Sequence, residues 1–282
     1  MFTHNDIARY YDLSEVHYRL FWNLNQSRSL HYGYWDASTK NFHEALLNTN
    51  KVLADLANIK EGEKVLDAGC GVGGSSLWLA TERKCFVTGI SLSEKQVNKA
   101  NAFASEARVA DFVTFEQKDF CKTGYPAESF NVVWAIESVC HAEDKTKFLQ
   151  EAYRVLKKGG RLVMADFFKT KDLQGKDAEA IQEWAHGWAI HDFATAEDFL
   201  RQLKETGFRN IEIKDASHAI YPSAKRLFRS YFIGKPAAVI YRLLKRGKVT
   251  ALGKNNVETA YLQYKTLKKG LWKYLIVKAV KL

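Results

Sequence analysis

The sequence of 282 residues predicts an α/β fold: a Rossmann-like, seven-stranded, mostly parallel sheet with helices on its faces. Short apolar segments typical of strands alternate with segments of helical periodicity from residue 64 onward. A glycine-rich turn containing Gly69, Gly71 and Gly73 follows the first predicted strand. The segment 130–136 is almost wholly apolar, as expected for a central parallel strand that is covered on both faces.

The individual elements follow from periodicity and capping signals. Helices are predicted before the alternation begins over residues 1–30 and 42–57, where apolar residues recur at helical spacing. Strands are then predicted at 64–68, 85–90, 112–116, 130–136, 161–168, 208–214 and 272–280. Helices are predicted between them at 75–82, from Ser93 onward, at 144–156 and at 196–206. Ser93 and Gln96 have the spacing of a capping box, and Lys-Lys-Gly-Gly at 157–160 is predicted to end a helix.

The whole chain, residues 1–282, is predicted to form one domain. Residues 1–58 would form an N-terminal helical cap, and residues 217–269 a basic helical insertion before the last strand of the same sheet. The composition fits this interpretation, because 46% of the residues are hydrophobic and only three are proline. A long disordered linker is therefore not expected.

Positive charge is concentrated towards the C-terminal end. Residues 221–282 contain fifteen lysines and arginines but one acid, Glu258, in a chain whose net charge is +10. Several basic residues alternate with Phe, Tyr and Leu around 227–246, so this surface could make peripheral contact with anionic lipid head groups. A solvated helical surface is the alternative interpretation.

The predicted location is the cytoplasm. The N-terminal residues lack the basic and apolar regions of a signal peptide, and no apolar stretch is long enough to span a bilayer. The four cysteines, at positions 70, 85, 121 and 140, are scattered without the spacing of metal ligands. We therefore expect free thiols and no metal site.

The glycine turn by itself admits two kinds of ligand. Residues 69–74 fit G-x-G-x-G, but they also fit the G-x-G-x-x-G pattern of dinucleotide sites. A dinucleotide site needs an acid after the second strand to hold the ribose, and residues 89–93 read Gly-Ile-Ser-Leu-Ser.

Asp67, which precedes the glycines, helps to decide between them. Its carboxylate would repel a pyrophosphate but can accept hydrogen bonds from an ammonium group or from loop amides. S-adenosylmethionine (SAM) has an amino-acid end and no phosphate, so it suits this loop, in which glycine allows the backbone to approach a ligand closely. A purely structural strand–helix turn is the alternative.

At this point the sequence resembles the class I SAM-dependent methyltransferases, from about residue 31 to 215 and more weakly as far as the last strand. Within them it is most similar to the group that contains tocopherol and sterol C-methyltransferases, cyclopropane fatty-acid synthases and related natural-product enzymes. The segments that carry the resemblance are His-Tyr-Gly-Tyr-Trp at 31–35, Val-Leu-Asp-Ala-Gly-Cys-Gly at 65–71, 89–93 with Gln96, 134–138 with His141, and 152–160.

The resemblance implies SAM as the cofactor and a set of residues that contact it. Those implied for the methionine end are Asp67, Gly69 and Gly71, with Gly73 completing the loop. Those implied for the ribose are Ser91, Leu92 and Gln96, where most class I enzymes have an acid but this group often has a hydroxyl and a downstream Gln.

The adenine end is implied to lie against residues that follow the third strand. Asp119 would hydrogen-bond the adenine amine and Phe120 would pack on the ring, although Asp119 could instead be an ordinary turn or cap residue. Ile136 ends the fourth strand at the sheet edge where ligands of such folds bind.

Three side chains are candidates for the chemistry. Methyl transfer from a sulfonium is an in-line displacement, in which the enzyme mainly positions the acceptor and, for a hydroxyl or an activated carbon, removes a proton. Glu137 and His141 lie four residues apart after the fourth strand, and Asp166 ends the fifth. Some sugar and polyketide O-methyltransferases of this superfamily have a similarly placed histidine and aspartate, and histidine titrates near neutral pH. His141 could instead enter a helix, Asp166 could cap the segment after the strand, and Glu137 could contact SAM or stabilise a cationic intermediate.

An aromatic stretch follows the fifth strand, formed by Trp184, His186, Trp188, His191 and Phe193. In this fold such a region often covers the acceptor pocket, where it would suit an apolar or ring-bearing acceptor, or an amine held by cation–π contact. The alternative is ordinary packing of tryptophans at helical i, i+4 spacing.

The sequence therefore predicts transfer of a methyl group from SAM to a small lipophilic acceptor, such as an isoprenoid, quinol or sterol-like ring. The alternatives are N- or O-methylation of a polar metabolite, an amine or a sugar hydroxyl, and a protein that binds SAM or a lipid without turnover. No nucleic-acid partner is expected, because the chain lacks the Asn/Asp-Pro-Pro-aromatic motif of base-amine methylases and the Pro-Cys pair of cytosine attack.

Overall fold

A computed structural model describes residues 2–10, 27–244 and 251–282, and the side chains of all these residues except 233–244 and 251–257. The predicted helix over 1–30 is only partly described: residues 4–10 are helical, and 11–26 lie outside the described residues. Residues 28–30 are not helical, which corrects the prediction, because this segment runs across the glycine loop instead of continuing a helix.

The seven predicted strands are present and form one sheet, in the order β3-β2-β1-β4-β5-β7-β6. They are β1 (Lys64–Ala68), β2 (Phe86–Ser91), β3 (Val113–Gln117), β4 (Phe130–Ile136), β5 (Leu156–Lys169), β6 (Arg209–Asp215) and β7 (Trp272–Val280). Strands β1 to β5 are parallel to one another, whereas β7 is antiparallel to both β5 and β6. The predicted fold class is confirmed.

The helices alternate with the strands as predicted, with one further helix, α5, that the sequence patterns did not indicate. They are α1 (Phe42–Leu56), α2 (Gly74–Glu82), α3 (Glu94–Glu106), α4 (Lys145–Val155), α5 (Gly175–Gly187), α6 (Ala196–Thr206), α7 (Ser217–Leu244) and α8 (Ala251–Lys268). No helix among the described residues is both long and apolar enough to cross a membrane.

The segment 157–160 does not separate α4 from β5, because β5 begins at Leu156, directly after the helix. Gly159 has φ of 74°, and its N–H donates to the carbonyl of Lys281, while the N–H of Lys281 donates to the carbonyl of Gly160. The two glycines thus bend the beginning of β5 and pair it with the backbone of Lys281. The helix ends before residues 157–160 as predicted, but these residues belong to the strand and not to a loop.

Alternating side chains divide the core between the two faces of the sheet. On β4, Val132 and Trp134 face the layer that contains α1, α2, α3 and α5, whereas Val133 faces the layer that contains α4 and α6. α8 packs against α5 and α7 on the first of these faces. Ligands of such folds bind outside the carboxyl ends of the parallel strands, which leaves the ends of β1, β2 and β4 as the place to look.

Candidate functional site

A cleft lies at the carboxyl ends of β1, β2 and β4, with about 840 Å³ of empty space when its open mouth is included. Of the predicted site residues, those on its wall are Asp67, Gly69, Gly71, Ser91, Leu92, Gln96, Phe120, Ile136, Glu137 and His141. Gly73, Asp119 and Asp166 are not on the wall. The cleft is also lined by Ile7, Ala8 and residues 28–31 from the N-terminal segment. Of these, only His31 belongs to a segment that carries the family resemblance, and no sequence pattern indicated the others as site residues.

The glycine loop approaches the segment after β4 closely. Gly69 has φ of 97°, and a Cβ there would overlap the Cβ of Ser138 and lie 2.9 Å from its Oγ. Gly71 also has a positive φ, 55°, and faces the cleft. Gly73 is the N-cap of α2, where a Cβ would lie 2.8 Å from the ring of Phe115, so its described contacts are with the core.

Asp67 places a buried carboxyl group at the bottom of the cleft. Its Oδ2 accepts a hydrogen bond from Ser76 Oγ at 2.6 Å, and burial raises the pKa of Asp67 to about 7. A buried carboxylate is stabilised by a positive partner. The ammonium group of an amino acid would supply that charge, so this site fits the methionine end of SAM.

Ser91 and Gln96 form a neutral polar corner of the cleft. Ser91 Oγ donates to Gln96 Oε1 at 2.7 Å and accepts from the N–H of Ser93 at 3.1 Å. Ser93 caps α3 by accepting from the N–H of Gln96, as the capping-box spacing predicts, and the Gln96 side chain contacts Ser91. Hydroxyl and amide groups suit the hydroxyls of a ribose and offer no charge to a phosphate.

The two residues after β3 are placed differently from one another. Phe120 lines the cleft and packs edge-on against Phe148, with ring centroids 5.4 Å apart. Asp119 Oδ1 accepts from the N–H of Cys121 at 2.7 Å, and Oδ2 lies 3.7 Å from His4 Nε2. This is the geometry of a turn residue, and the adenine contact of Asp119 stays a prediction.

Glu137 is anchored by two aromatic residues that are distant in the sequence. Its Oε1 accepts from the N–H of Tyr32 at 2.7 Å and from the hydroxyl of Tyr274 at 2.8 Å. Burial raises the pKa of Glu137 to about 8, although both hydrogen bonds act in the opposite direction. The backbone of Glu137 is left-handed, with φ of 49°, which turns this side chain towards the cleft at the end of β4.

His141 ends a short 3₁₀ turn, Val139–His141, that faces the cleft. Its Nδ1 lies 3.3 Å from the carbonyl oxygen of Ala189. Because a carbonyl can only accept, Nδ1 carries the hydrogen and Nε2 carries the lone pair. Burial lowers the pKa of His141 to about 4, so the imidazole is neutral at neutral pH.

Asp166 lies beneath this turn. Its Oδ2 accepts from the N–H of Cys140 and its Oδ1 from the N–H of Phe167, both at 2.9 Å. Burial raises the pKa of Asp166 to about 6. The carboxyl group therefore holds the segment that precedes His141.

The aromatic stretch at 184–193 divides into packed and exposed parts. Trp184 is fully buried, with ring centroids 4.5 Å from Phe193 and 4.7 Å from Trp272, which favours the packing alternative for these residues. Trp188 is half-buried and its ring centroid lies 6.4 Å from that of Tyr32. His186 and His191 are exposed.

Comparisons with known proteins identify the family of the chain. Residues 66–164 match the family described as "Methyltransferase domain". The chain is 36% identical over 221 residues to 27-O-demethylrifamycin SV methyltransferase of Amycolatopsis mediterranei. The alignment covers 78% of this chain and 80% of the relative. It is 32% identical over 212 residues to sterol 24-C-methyltransferase ERG6B of Gibberella zeae, covering 73% of this chain and 54% of the relative.

The fold is shared with a geranyl diphosphate C-methyltransferase from Streptomyces coelicolor A3(2), whose crystal structure contains Mg²⁺, geranyl diphosphate and S-adenosyl-L-homocysteine. The TM-score is 0.73 at 20% identity, and the superposition covers 99% of this chain and 98% of the other. The fold, the relatives and the fit of the cleft to SAM lead to one assignment. The chain belongs to the class I SAM-dependent methyltransferases, and it is an enzyme that methylates small molecules.

Proposed function

We propose that this enzyme transfers the methyl group of SAM to a hydroxyl of a small lipophilic acceptor, an isoprenoid, quinol or sterol-like compound. In this proposal His141 is the general base. Bound SAM supplies an electrophilic methyl group on a sulfonium, whose sulfur leaves as a neutral thioether. The residues of the chain must therefore align the acceptor oxygen with that methyl group and remove the hydroxyl proton.

The observation that carries the proposal is the state of His141. Its Nδ1 is oriented by the carbonyl of Ala189, and the ring lies on the wall of the cleft that also contains Asp67 and Gly69. A neutral imidazole beside the cofactor site can take the proton of a hydroxyl as the new O–CH₃ bond forms. Glu137 suits this role less well, because two hydrogen bonds already anchor its Oε1.

Two further observations support an oxygen on a lipophilic frame. The wall of the cleft carries the apolar side chains of Leu30, Phe120 and Ile136. One relative is named for methylation at an oxygen, another for a sterol, and the structural neighbour binds geranyl diphosphate. Isoprenoid and sterol frames are apolar and gain affinity from aromatic walls.

The test is His141→Gln, which keeps a polar side chain of similar size but cannot take up a proton. Wild type and variant are incubated with labelled SAM and with separate lipid and polar metabolite extracts. We expect label in the lipid fraction, with kcat of the variant reduced by a factor of about 10²–10⁴. The affinity for SAM, measured by calorimetry, should change by less than about twofold, because the cofactor is held elsewhere.

His218→Gln is the matched control, because His218 is an exposed histidine at the beginning of α7, is not on the wall of the cleft and should leave kcat unchanged. Label in an amine or sugar of the polar fraction would contradict the lipophilic acceptor. Full activity of His141→Gln would contradict the base. SAM binding without any labelled product would favour a binding protein.

We further propose that the basic surface of residues 221–282 contacts anionic lipid, which would bring the enzyme to a lipophilic acceptor. Lys225, Arg229 and Phe232 are exposed at i, i+4, i+7 spacing on α7, and Phe232 is 57% exposed. Cations beside an exposed aromatic ring fit an interface of negative head groups.

Sedimentation with phosphatidylcholine vesicles, with and without phosphatidylglycerol, tests this contact. Binding should need the anionic lipid, fall with salt and weaken in the double variant Lys225→Glu/Arg229→Glu. The control is Lys122→Glu/Lys176→Glu, an equal change of charge at exposed lysines elsewhere. Equal loss in both double variants, or no binding by wild type, would contradict the proposal.

A further inference from the structure

Lys145 occupies a position that helix stability does not explain. It is the first residue of α4, directly after the N-cap Asp144, and its side chain is half-buried. A cation at a helix N-terminus is opposed by the helix dipole, and a buried ammonium loses its hydration. Burial accordingly lowers the pKa of Lys145.

The ammonium group instead connects two loops. Lys145 Nζ donates to the carbonyl of Cys140 at 3.1 Å, to that of Ala142 at 2.7 Å and to that of Asp192 at 3.1 Å. An ammonium has three donors, so these three carbonyls account for all of them. Cys140 and Ala142 flank His141, and Asp192 lies three residues beyond Ala189, whose carbonyl accepts from His141.

We propose that Lys145 is a positioning residue for methyl transfer: by holding the carbonyls on either side of His141, it fixes the imidazole towards the cleft. This inference rests on the proposed role of His141 as the base. Three residues hold the turn in place around His141: Asp166 accepts from the N–H of Cys140, Lys145 donates to the carbonyls on either side, and the carbonyl of Ala189 contacts Nδ1.

The titratable groups around this turn come from several elements. They are Glu137 and Cys140 on the segment of His141 itself, Lys145 on α4, Asp166 on β5, Cys121 after β3 and Asp192 after α5. Burial is the main cause of the lowered pKa of His141, the charge of Lys145 acts in the same direction, and the carbonyl of Ala189 opposes both. Removing the ammonium should therefore raise the pKa of His141.

The direction of the kinetic effect is set by this shift. The unprotonated base exists above the pKa of His141, so a higher pKa moves the acidic limb of the rate profile to higher pH. A merely structural role for Lys145 would lower stability but would not move this limb.

The experiment compares Lys145→Met, Lys145→Arg and, as control, Lys147→Met, which removes an exposed lysine of the same helix. The titration of His141 is followed by NMR of ¹³C-labelled histidine in the full chain bound to S-adenosylhomocysteine, with the signal assigned from His141→Gln. The kinetics use the acceptor that is most strongly labelled in the lipid and polar extracts.

For Lys145→Met we expect the titration of His141 and the acidic limb to move to higher pH, because a nearby positive charge has been removed. We expect kcat to fall about 10- to 100-fold from loss of positioning, with the SAM dissociation constant within about twofold of wild type. Lys145→Arg keeps the charge, so the titration should stay in place while kcat falls, because a planar guanidinium does not match three carbonyls around one nitrogen. Lys147→Met should match wild type.

An unchanged titration in Lys145→Met, or equal kcat for Lys145→Met and Lys147→Met, would overturn the inference. If Lys145→Met does not fold, Lys145→Arg decides: wild-type kcat in that variant would overturn the positioning role. Failure of the proposed function is distinguishable, because it appears as an active His141→Gln, whereas the NMR titration reports on Lys145 without turnover.

Discussion

Replacing Gly69 with alanine tests the close approach of the glycine loop to the segment after β4. The φ of 97° at Gly69 is strained for any L-residue, at a cost of about 1–2 kcal/mol. The new Cβ would overlap the Cβ of Ser138, and relieving that overlap costs about 1–3 kcal/mol more. We therefore expect Gly69→Ala to lower the free energy of unfolding by about 2–5 kcal/mol.

Gly62→Ala is the matched control. Gly62 also has a positive φ, 76°, but no atom lies within 4 Å of a Cβ built there. It should lose only the backbone cost of about 1–2 kcal/mol, so the difference between the two variants isolates the overlap. In the double variant Gly69→Ala/Ser138→Gly, the Cβ of residue 138 is absent, so the overlap is relieved. The double variant should therefore lose less free energy of unfolding than the sum of the two single variants, by most of the difference between Gly69→Ala and Gly62→Ala.

Urea unfolding followed by tryptophan fluorescence gives the free energies, and calorimetry gives the affinity for SAM. Ser138→Gly alone should cost about 1 kcal/mol, because it removes the hydrogen bond from Ser138 Oγ to the carbonyl of Ala68. Equal losses for Gly69→Ala and Gly62→Ala, together with no coupling to Ser138→Gly, would refute the reasoning.

Two other predictions concern buried charge. The pKa of Asp67 is raised to about 7 in the folded protein, whereas an unfolded chain releases this proton near pH 4. Without ligand, the free energy of unfolding should therefore fall as the pH rises from about 4 to about 7. SAM is a cation and favours the ionised carboxylate, so the affinity for SAM should rise from about pH 4 to about pH 7. In Asp67→Asn, thermal unfolding should show a flatter pH dependence of stability, and calorimetry a flatter pH dependence of affinity. Slopes equal to those of wild type would contradict the prediction. Arg161 donates to both carboxylate oxygens of Glu63, at 2.7 and 2.6 Å, in a largely buried pair, so Arg161→Met should cost about 3 kcal/mol in urea unfolding. Arg201→Met, which breaks exposed ion pairs, should cost less than about 1 kcal/mol, and similar costs for the two variants would show that burial of the first pair is unimportant.

The sequence predicted most of the fold because the signals for it are local. The apolar strands β1 and β4 were predicted with the bounds that the structure has, and Ser93 caps α3 as its spacing indicates. The errors occur where a distant segment decides the conformation. Residues 157–160 extend the strand because they pair with the chain end, and residues 28–30 are not helical because they lie across the glycine loop.

The residues of the candidate site also differ in whether the sequence alone could indicate their place. Asp67 and Ser91 lie at the carboxyl ends of β1 and β2, and Gln96 lies in the first turn of α3. The family resemblance assigned these residues to the cofactor, and the structure places all three on the wall of the cleft. Trp184 was ambiguous from its spacing alone, and its burial against Trp272 became visible only once β7 was placed beside β5.

The sequence by itself determined the parallel sheet, the glycine loop and SAM as the ligand of that loop, because these depend on residues that are close along the chain. Only the tertiary structure decided how the candidate catalytic side chains are held. Tyr274 reaches Glu137 across 137 residues, and Lys145 joins the turn of His141 to a loop more than 40 residues away. Such contacts depend on where β7 joins the sheet and where α5 packs against it, and no local sequence pattern encodes either position.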